Sequence, residues 1–385
     1  MDNAPAPRHR HYDVVVVGAR AAGASTAMLL ARSGLRVLAI DRQTYGSDTL
    51  SSHALMRGAV RRLANWGLLD ELWDRGTPVI RRTSFGYGDE ALTLDIRPEP
   101  GVPGLAAPRR TLLDPVLVDG AVAAGVEVLH ETRFLDVTRS ATGRVDGIRL
   151  ATPSGEIRTV GAGLVIGADG VRSTLARAVE APITRQGRHA SAYTMRYYRD
   201  LDVDRDEFRW LYRLGCGGGV IPTSGDAVCV FGGMPPARFA EVRSDVTAAH
   251  HATIRRLDPT LADAVERATP VGPIRSFPGL RGQFRQAHGA GWALVGDAGY
   301  FKDPYAAHGI TDAFRDAELL TEAVLTDDLA GYEARRDELS LPLFEILDRI
   351  ASYDWDLEQL AGLHFGLSKA MRAEDDQTLT IATAA

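Results

Sequence analysis

Residues 12–17, Tyr-Asp-Val-Val-Val-Val, form a short β-branched run closed by Gly18, the pattern of a strand buried on both faces of a parallel sheet. A helical segment is predicted over 21–33, where Gly34 stops it, and a second apolar strand over 36–40 ends in Asp41. Together these make a βαβ unit. A helix over 111–124 is followed by Gly125 and a strand over 126–129, and the apolar runs 164–166 and 292–295 read as further buried strands. One sheet is therefore assembled from distant segments.

Between residues 185 and 289 the texture changes to alternating apolar and polar positions, carrying Tyr193, Tyr197, Tyr198, Phe208, Trp210 and Tyr212. That alternation predicts a mostly antiparallel second domain. From 309 to about 367 the chain turns helical, with breaks expected near Gly331 and Pro342, and the tail 378–385 lacks packing signals. The expected fold class is α/β with two domains. The first, Rossmann-type, spans 12–184 and 291–330, and the second spans 185–290 with segments of 75–105 as candidate contributors. A flexible tail over 1–11 and a C-terminal helical region over 331–385 complete the chain.

Composition narrows the classes. With 385 residues, 45% hydrophobic and 24% charged, the chain is long enough for two cooperating domains and unlike a disordered or fibrous protein. Its 44 basic and 50 acidic residues give a net charge of −6 without a long basic run, which argues against nucleic acid as a partner. Lys302 and Lys369 are its lysines, the remaining basic residues being arginine. Two cysteines, Cys216 and Cys229, make neither a disulfide framework nor a zinc pair, as expected of a reducing cytoplasm. No apolar run approaches the ~18 residues of a membrane span, so no integral membrane association is expected.

The chemistry begins at Gly18-Ala19-Arg20-Ala21-Ala22-Gly23, which follows a strand and opens a helix, the context in which G-x-G-x-x-G binds a dinucleotide. Arg20 replaces the middle glycine and either pairs with a phosphate or points to solvent. Gly18 permits the tight turn, Gly23 permits close helix packing, and the helix start offers free N–H groups to a pyrophosphate. Asp41, 23 positions after Gly18, stands where a carboxylate accepts hydrogen bonds from a ribose. The fingerprint alone does not separate NAD from FAD.

Three later segments do. Gly163 to Ser173 (GLVIGADGVRS) ends a strand in a turn and enters a helix, Trp292 to Ala298 (WALVGDA) ends another in Gly296-Asp297, and Asp303 to Ile310 (DPYAAHGI) leads into a helix. With Arg110 to Asp114 (RTLLD), Asp48 to His53 (DTLSSH) and Trp66 to Asp70 (WGLLD), they make the chain resemble the FAD-dependent monooxygenases of the para-hydroxybenzoate hydroxylase fold and their geranylgeranyl reductase-like relatives. The resemblance runs from Asp13 to about Leu357. It implies that Gly18, Arg20, Ala22, Gly23 and Asp41 meet the ADP half of FAD, with Arg42, Ser52 and Arg110 along it. Gly296 and Asp297 would hold the ribityl or pyrophosphate region, and the loop from Pro304 through Gly309 and Ile310 would abut the isoalloxazine. Asp169 falls in a segment tied to FAD and NADPH handling, or else braces its own turn.

The same resemblance implies a monooxygenase, supplied with electrons by NADPH or NADH or by a separate flavin reductase. It would use O2 through a flavin C4a-hydroperoxide to hydroxylate or epoxidise an apolar or aromatic small molecule of specialised metabolism. The alternatives are a carbon–carbon double-bond reductase, a flavin-dependent halogenase, disfavoured because the Trp-x-Trp-x-Ile-Pro signature is missing, and a non-catalytic flavin-binding protein. Pro304, His53 and His308 are the catalytic candidates: a rigid carbonyl facing the flavin and two proton carriers. Arg196, Tyr198, Trp210 and Tyr212 are the candidate substrate contacts, and no metal site is expected. The His9/His11 and His250-His251 pairs read as tail and surface residues, and Cys216 with its neighbouring glycines as either a close approach to a ligand or a flexible hairpin.

Overall fold

The computed structural model describes residues 6–382, with side chains described through residue 378. Residues 1–5 of the expected tail and 383–385 at the other end lie outside the described residues. The chain enters through β1 (His11–Val17), α1 (Ala21–Arg32) and β2 (Val37–Ile40), the βαβ unit expected. Helices α2 (Arg57–Asn65) and α3 (Leu69–Asp74) precede the hairpin β3 (Arg82–Tyr87) and β4 (Glu90–Asp95). Then come α4 (Arg110–Ala123), β5 (Glu127–Leu129), β6 (Arg133–Arg139), β7 (Val145–Ala151), β8 (Ile157–Gly167) and α5 (Thr174–Ala178). β1 lies between β2 and β8, parallel to both, and its residues Val14 to Val17 are buried on both faces.

After β9 (Ile183–Gln186), the second sheet is built from β10 (Ala192–Arg199), β11 (Glu207–Arg213), β12 (Cys216–Pro222) and β13 (Val228–Met234). Helices α6 (Pro236–Val242), α7 (Val246–Leu257) and α8 (Pro259–Arg267) interrupt it before β14 (Thr269–Phe277) closes one edge. The alternation gave no warning of these helices. The seven strands run in the order β14-β10-β13-β12-β11-β3-β4, so the 82–95 hairpin extends this sheet, with β3 parallel to β11.

β15 (Gln283–Arg285) pairs with β9 and with β18 (Tyr300–Phe301) in a small third sheet, and between them β16 (His288–Gly289) and β17 (Trp292–Leu294) return to the first sheet, with β17 parallel to β8. It finishes in α9 (Gly309–Thr326), α10 (Leu329–Ile350) and α11 (Leu357–Ala382). The break expected near Gly331 falls just before it, at Asp327 and Asp328 between α9 and α10, and the one expected near Pro342 is absent. Gly331 is in the first turn of α10, where its N–H donates to Asp328 Oδ1 at 2.9 Å, and Pro342 lies inside the helix between the buried Leu339 and Leu343. The expected loose tail likewise continues α11 as far as Ala382. No helix among the described residues is long and apolar enough to cross a membrane.

Candidate functional site

β1 delivers the chain into Gly18 at φ 101°, where a Cβ would lie 2.5 Å from the Ala168 carbonyl oxygen of the neighbouring β8 turn. A Cβ on Gly23 would lie 1.7 Å from the Gly18 oxygen, so both positions need glycine for the helix to start this close to the sheet. No side chain caps α1, which leaves the amides of its first turn available to an anion. Asp41 is held by Ala19 N–H at 2.9 Å on one oxygen and Gln43 N–H at 2.8 Å on the other, and retains lone pairs for a ribose.

Arg20 does not simply point to solvent. Its guanidinium donates to Asp114 Oδ2 at 3.1 Å and to Ser47 Oγ at 2.8 Å. Arg110 forks onto the same carboxylate at 2.8 and 3.1 Å, so two cations share one anion beside the α1 start, leaving a positive surplus suited to phosphate. Ala19, Arg20, Asp41, Ser47, Asp114 and His130 line the crevice there. Arg42 is exposed and Ser52 half-buried. Asp169 accepts from Ser173 Oγ, Thr174 N–H and Thr174 Oγ1 at 2.5–2.6 Å, so its carboxylate braces the start of α5.

β17 leads into a single 3-10 turn, Gly296–Ala298, and a Cβ on Gly296 would lie 2.9 Å from the Ala22 methyl, which is how this turn reaches the α1 start. Asp297 follows, half-buried, and desolvation raises its pKa to about 6 against the pull of Lys302 and Arg110. Gly309 is exposed, the nearest atom to a Cβ there being Asp297 Oδ1 at 3.9 Å, and α9 also begins without a side-chain cap. Two open helix starts therefore flank Asp297. Pro304 is exposed and opens a 3-10 turn braced by Asp303, while Ile310 packs into the core.

His308 is 3% exposed and its Nδ1 meets Asp312 Oδ1 at 3.0 Å. Burial, with Lys302, Arg315 and Arg62, holds its pKa well below the usual range. Lys302 also pairs with Asp312, and Arg315 reaches Asp316 at 2.6 Å and Glu374 of α11 at 2.9 Å. His308, Asp312 and Glu374 bring ligand atoms within 4.8 Å of one another. Lys302 and Arg315 already supply the positive charge there, which makes this an ion-pair core.

On the second sheet, strand alternation divides the candidate substrate contacts. Trp210 and Tyr212 point to the face that meets the 304–306 turn, where Tyr212 stacks on Tyr305 with centroids 5.6 Å apart. Tyr198 turns the other way, into the layer of α7 and α8, and Arg196 bonds the Gly272 carbonyl at 2.8 Å on that side. The inward residues of β10 are instead Tyr193, Met195 and Tyr197, with Phe231 beside them on β13. The glycines of β12 belong to a central strand rather than a hairpin tip: a Cβ on Gly217 would fall on the Tyr305 hydroxyl, and one on Gly219 2.9 Å from the Phe231 ring. Cys216 packs on the helical side. His250, expected at the surface, is buried with Nδ1 3.1 Å from Thr194 Oγ1.

His53 holds a left-handed backbone, φ 62°, and is 1% exposed. Its ring stacks on Tyr197 at 5.3 Å, its Nε2 meets the Tyr197 hydroxyl, and its Nδ1 is buried without a partner. Burial and the charges of Arg110, Arg109 and Arg275 keep the imidazole neutral. Arg109 covers Tyr197 at 4.0 Å and donates to Asp48 at 2.8 Å, and Arg275 donates to the same Asp48 oxygen at 3.2 Å.

The sequence profile of the FAD binding domain family matches residues 11–332, the stretch that contains both open helix starts and Asp41. The chain belongs to that family. The glycine turn, the uncapped helix starts and the cationic crevice fit FAD, and Gly18, Gly23, Asp41, Arg20, Arg110 and Asp297 are the residues that would hold it. The menaquinone reductase of Mycolicibacterium smegmatis is 27% identical over 364 residues, 88% of this chain and 83% of its own. Among solved structures, the flavin-dependent brominase Bmp2 superposes with a TM-score of 0.80 at 21% identity, covering 96% of this chain and 93% of that one. PqsL of Pseudomonas aeruginosa, a probable FAD-dependent monooxygenase, does so with 0.78 at 22%, covering 92% and 99%. These two likenesses establish the fold.

Sequence reading did not single out Asp303, Lys302, Asp312, Tyr197, Arg109, Asp48 or Arg275 as site residues, although the structure gathers them into the buried clusters described above. Lys302 had one signal, as a rare lysine in an arginine-rich chain. Asp48 and Arg109 stand in or beside motifs singled out for other reasons, and nothing local marks Arg275.

Proposed function

We propose that this FAD-dependent oxidoreductase is a monooxygenase acting on a flat aromatic small molecule, with O2 as co-substrate and NADPH, NADH or a separate flavin reductase as electron source. The observation that carries this reading is the cluster of aromatic residues Tyr193, Tyr197, Trp210, Tyr212 and Phe231 packed against the 304–306 turn, an apolar aromatic surrounding beside that loop. FAD, when bound, supplies the redox and oxygen chemistry. The chain's residues supply the rest. The α1 start, Asp41 and the Arg20/Arg110 pair bind the ADP half, and the α9 start favours negative charge on the ring system. His53 and Tyr197 are hydrogen-bonded in this cluster through Nε2 and the hydroxyl, and burial keeps both groups neutral, so the pair positions what lies against it. His308, tied to Asp312 beneath the turn, orders the loop, and Pro304 shapes its exposed side.

A second reading, a carbon–carbon double-bond reductase, is favoured by the menaquinone reductase likeness, which runs along most of both chains. Anaerobic reduction followed by rapid mixing with oxygenated buffer separates the two. A transient blue-shifted flavin band in the presence of an aromatic substrate supports the monooxygenase. Direct return to oxidised flavin across a broad aromatic panel, with anaerobic double-bond reduction of a quinone side chain, overturns it. Chloride- or bromide-dependent product would move the assignment to a halogenase.

A further inference from the structure

On the side of the second sheet that meets the 304–306 turn, Arg109 and Arg275 converge on one carboxylate oxygen of Asp48. Two cations against one anion leave a surplus positive charge, because His53 beside them is neutral and Arg110 is committed to Asp114. Each guanidinium spends one N–H on Asp48, and Arg109 Nε is buried with no partner. So is His53 Nδ1, on a side chain 1% exposed. The Tyr197 hydroxyl reaches both the Ser51 carbonyl, at 3.3 Å, and the imidazole Nε2, and we assign its hydrogen to Nε2. A phenol has one hydrogen to give, and giving it to Nε2 leaves the imidazole hydrogen on Nδ1.

Two buried donors, Arg109 Nε–H and His53 Nδ1–H, thus lack an acceptor in a place of net positive charge, and such groups are costly to leave unmet. The cluster is separate from the ADP crevice: Tyr197 and Arg275 belong to β10 and β14 of the second sheet. Arg275 is about one-third exposed, which leaves a way in.

We propose that Arg109, Arg275 and His53 form the recognition site for an ionised oxygen of the substrate, a carboxylate, phenolate or enolate, laid against Tyr197. This names the substrate class within the function proposed above and rests on that reading for calling the ligand a substrate. An anion here satisfies both orphan donors and neutralises the surplus charge. It also keeps an aromatic ring electron-rich.

The test compares 2-naphthoate with 2-naphthamide, two flat probes that differ in the ionised group, by calorimetric titration of the FAD-loaded protein at low salt. The acid should bind at least about tenfold more tightly than the amide. Arg275→Leu should cut that preference to about threefold or less with FAD content unchanged, and Arg275→Lys, which keeps charge and fold but loses the planar fork, should fall between. Equal binding of acid and amide, or binding of neither, overturns the proposal. Loss of FAD from Arg275→Leu also overturns it, by giving the cluster to the cofactor. Because the titration needs no turnover, its result stands apart from the oxygen-mixing experiment.

Discussion

Asp303 shows how one buried carboxyl couples the site to pH. It is 4% exposed, and burial raises its pKa from 3.8 to about 7, against hydrogen bonds from Ser191, Tyr305 and Tyr193 that favour the charged form. A raised carboxyl pKa means that the folded protein holds the proton more tightly than the unfolded chain, so this contribution to stability is full below pH 3.8 and is lost as pH rises through about 7. Asp303→Asn removes that dependence. The difference in Tm between variant and parent should move in the variant's favour from pH 4 toward pH 7, as melts across that range would show. A difference that stays flat would mean that Asp303 is ionised throughout. At Gly18, the φ of 101° and the 2.5 Å approach to Ala168 make Gly18→Val incompatible with the turn. The purified variant should carry no FAD by absorbance. Gly18 and Asp41 were legible because their roles follow from the local strand, turn and helix. Arg20 was not, because its partner Asp114 lies 94 residues away.

Among elements, α11 does the most that the amino-acid pattern hid. Its Leu360 and Leu367 pack with the aromatic cluster, and its Glu374 reaches Arg315 on α9, a side chain with no exposure at all. Glu374→Ala leaves that guanidinium with two carboxylates instead of three and should cost about 3 kcal/mol in denaturant unfolding, the lower range for breaking a buried pair. The double variant Arg315→Met/Glu374→Leu should be less stable still, since the fully buried Asp316 then loses the guanidinium that holds it at 2.6 Å. A double variant as stable as the parent would show that Asp316 does not depend on Arg315. The uninterrupted α10 has a related cause. Leu339, Leu343, Phe344 and Leu347 bury one side of it, and that packing outweighs the amide lost at Pro342.

At the scale of the molecule, the proposed cofactor site joins helix starts almost 300 positions apart, Ala21 and Gly309, around Asp297. FAD binding should therefore stabilise the whole fold by mass action, about 2.7 kcal/mol at a hundredfold excess over Kd. Hydrogen exchange should slow together at residues 21–24 and 309–312. Protection confined to the first segment would remove the α9 start from the cofactor's path.

The amino-acid order by itself determined the βαβ entry, the glycine turn, the expectation of FAD and the presence of a second, alternating sheet. These depend on short-range geometry: side-chain period, glycine conformations and helix starts that any chain with this pattern must share. Tertiary structure alone decided which face of that sheet meets the 304–306 turn. Alternation says that Tyr197 and Tyr198 point opposite ways, and only the packing of α7 and α8 on the Tyr198 side turns Tyr197 inward. It likewise decided that Arg109 and Arg275 meet over Asp48, since a charge on one strand has no means of naming its partner until the sheets are brought together.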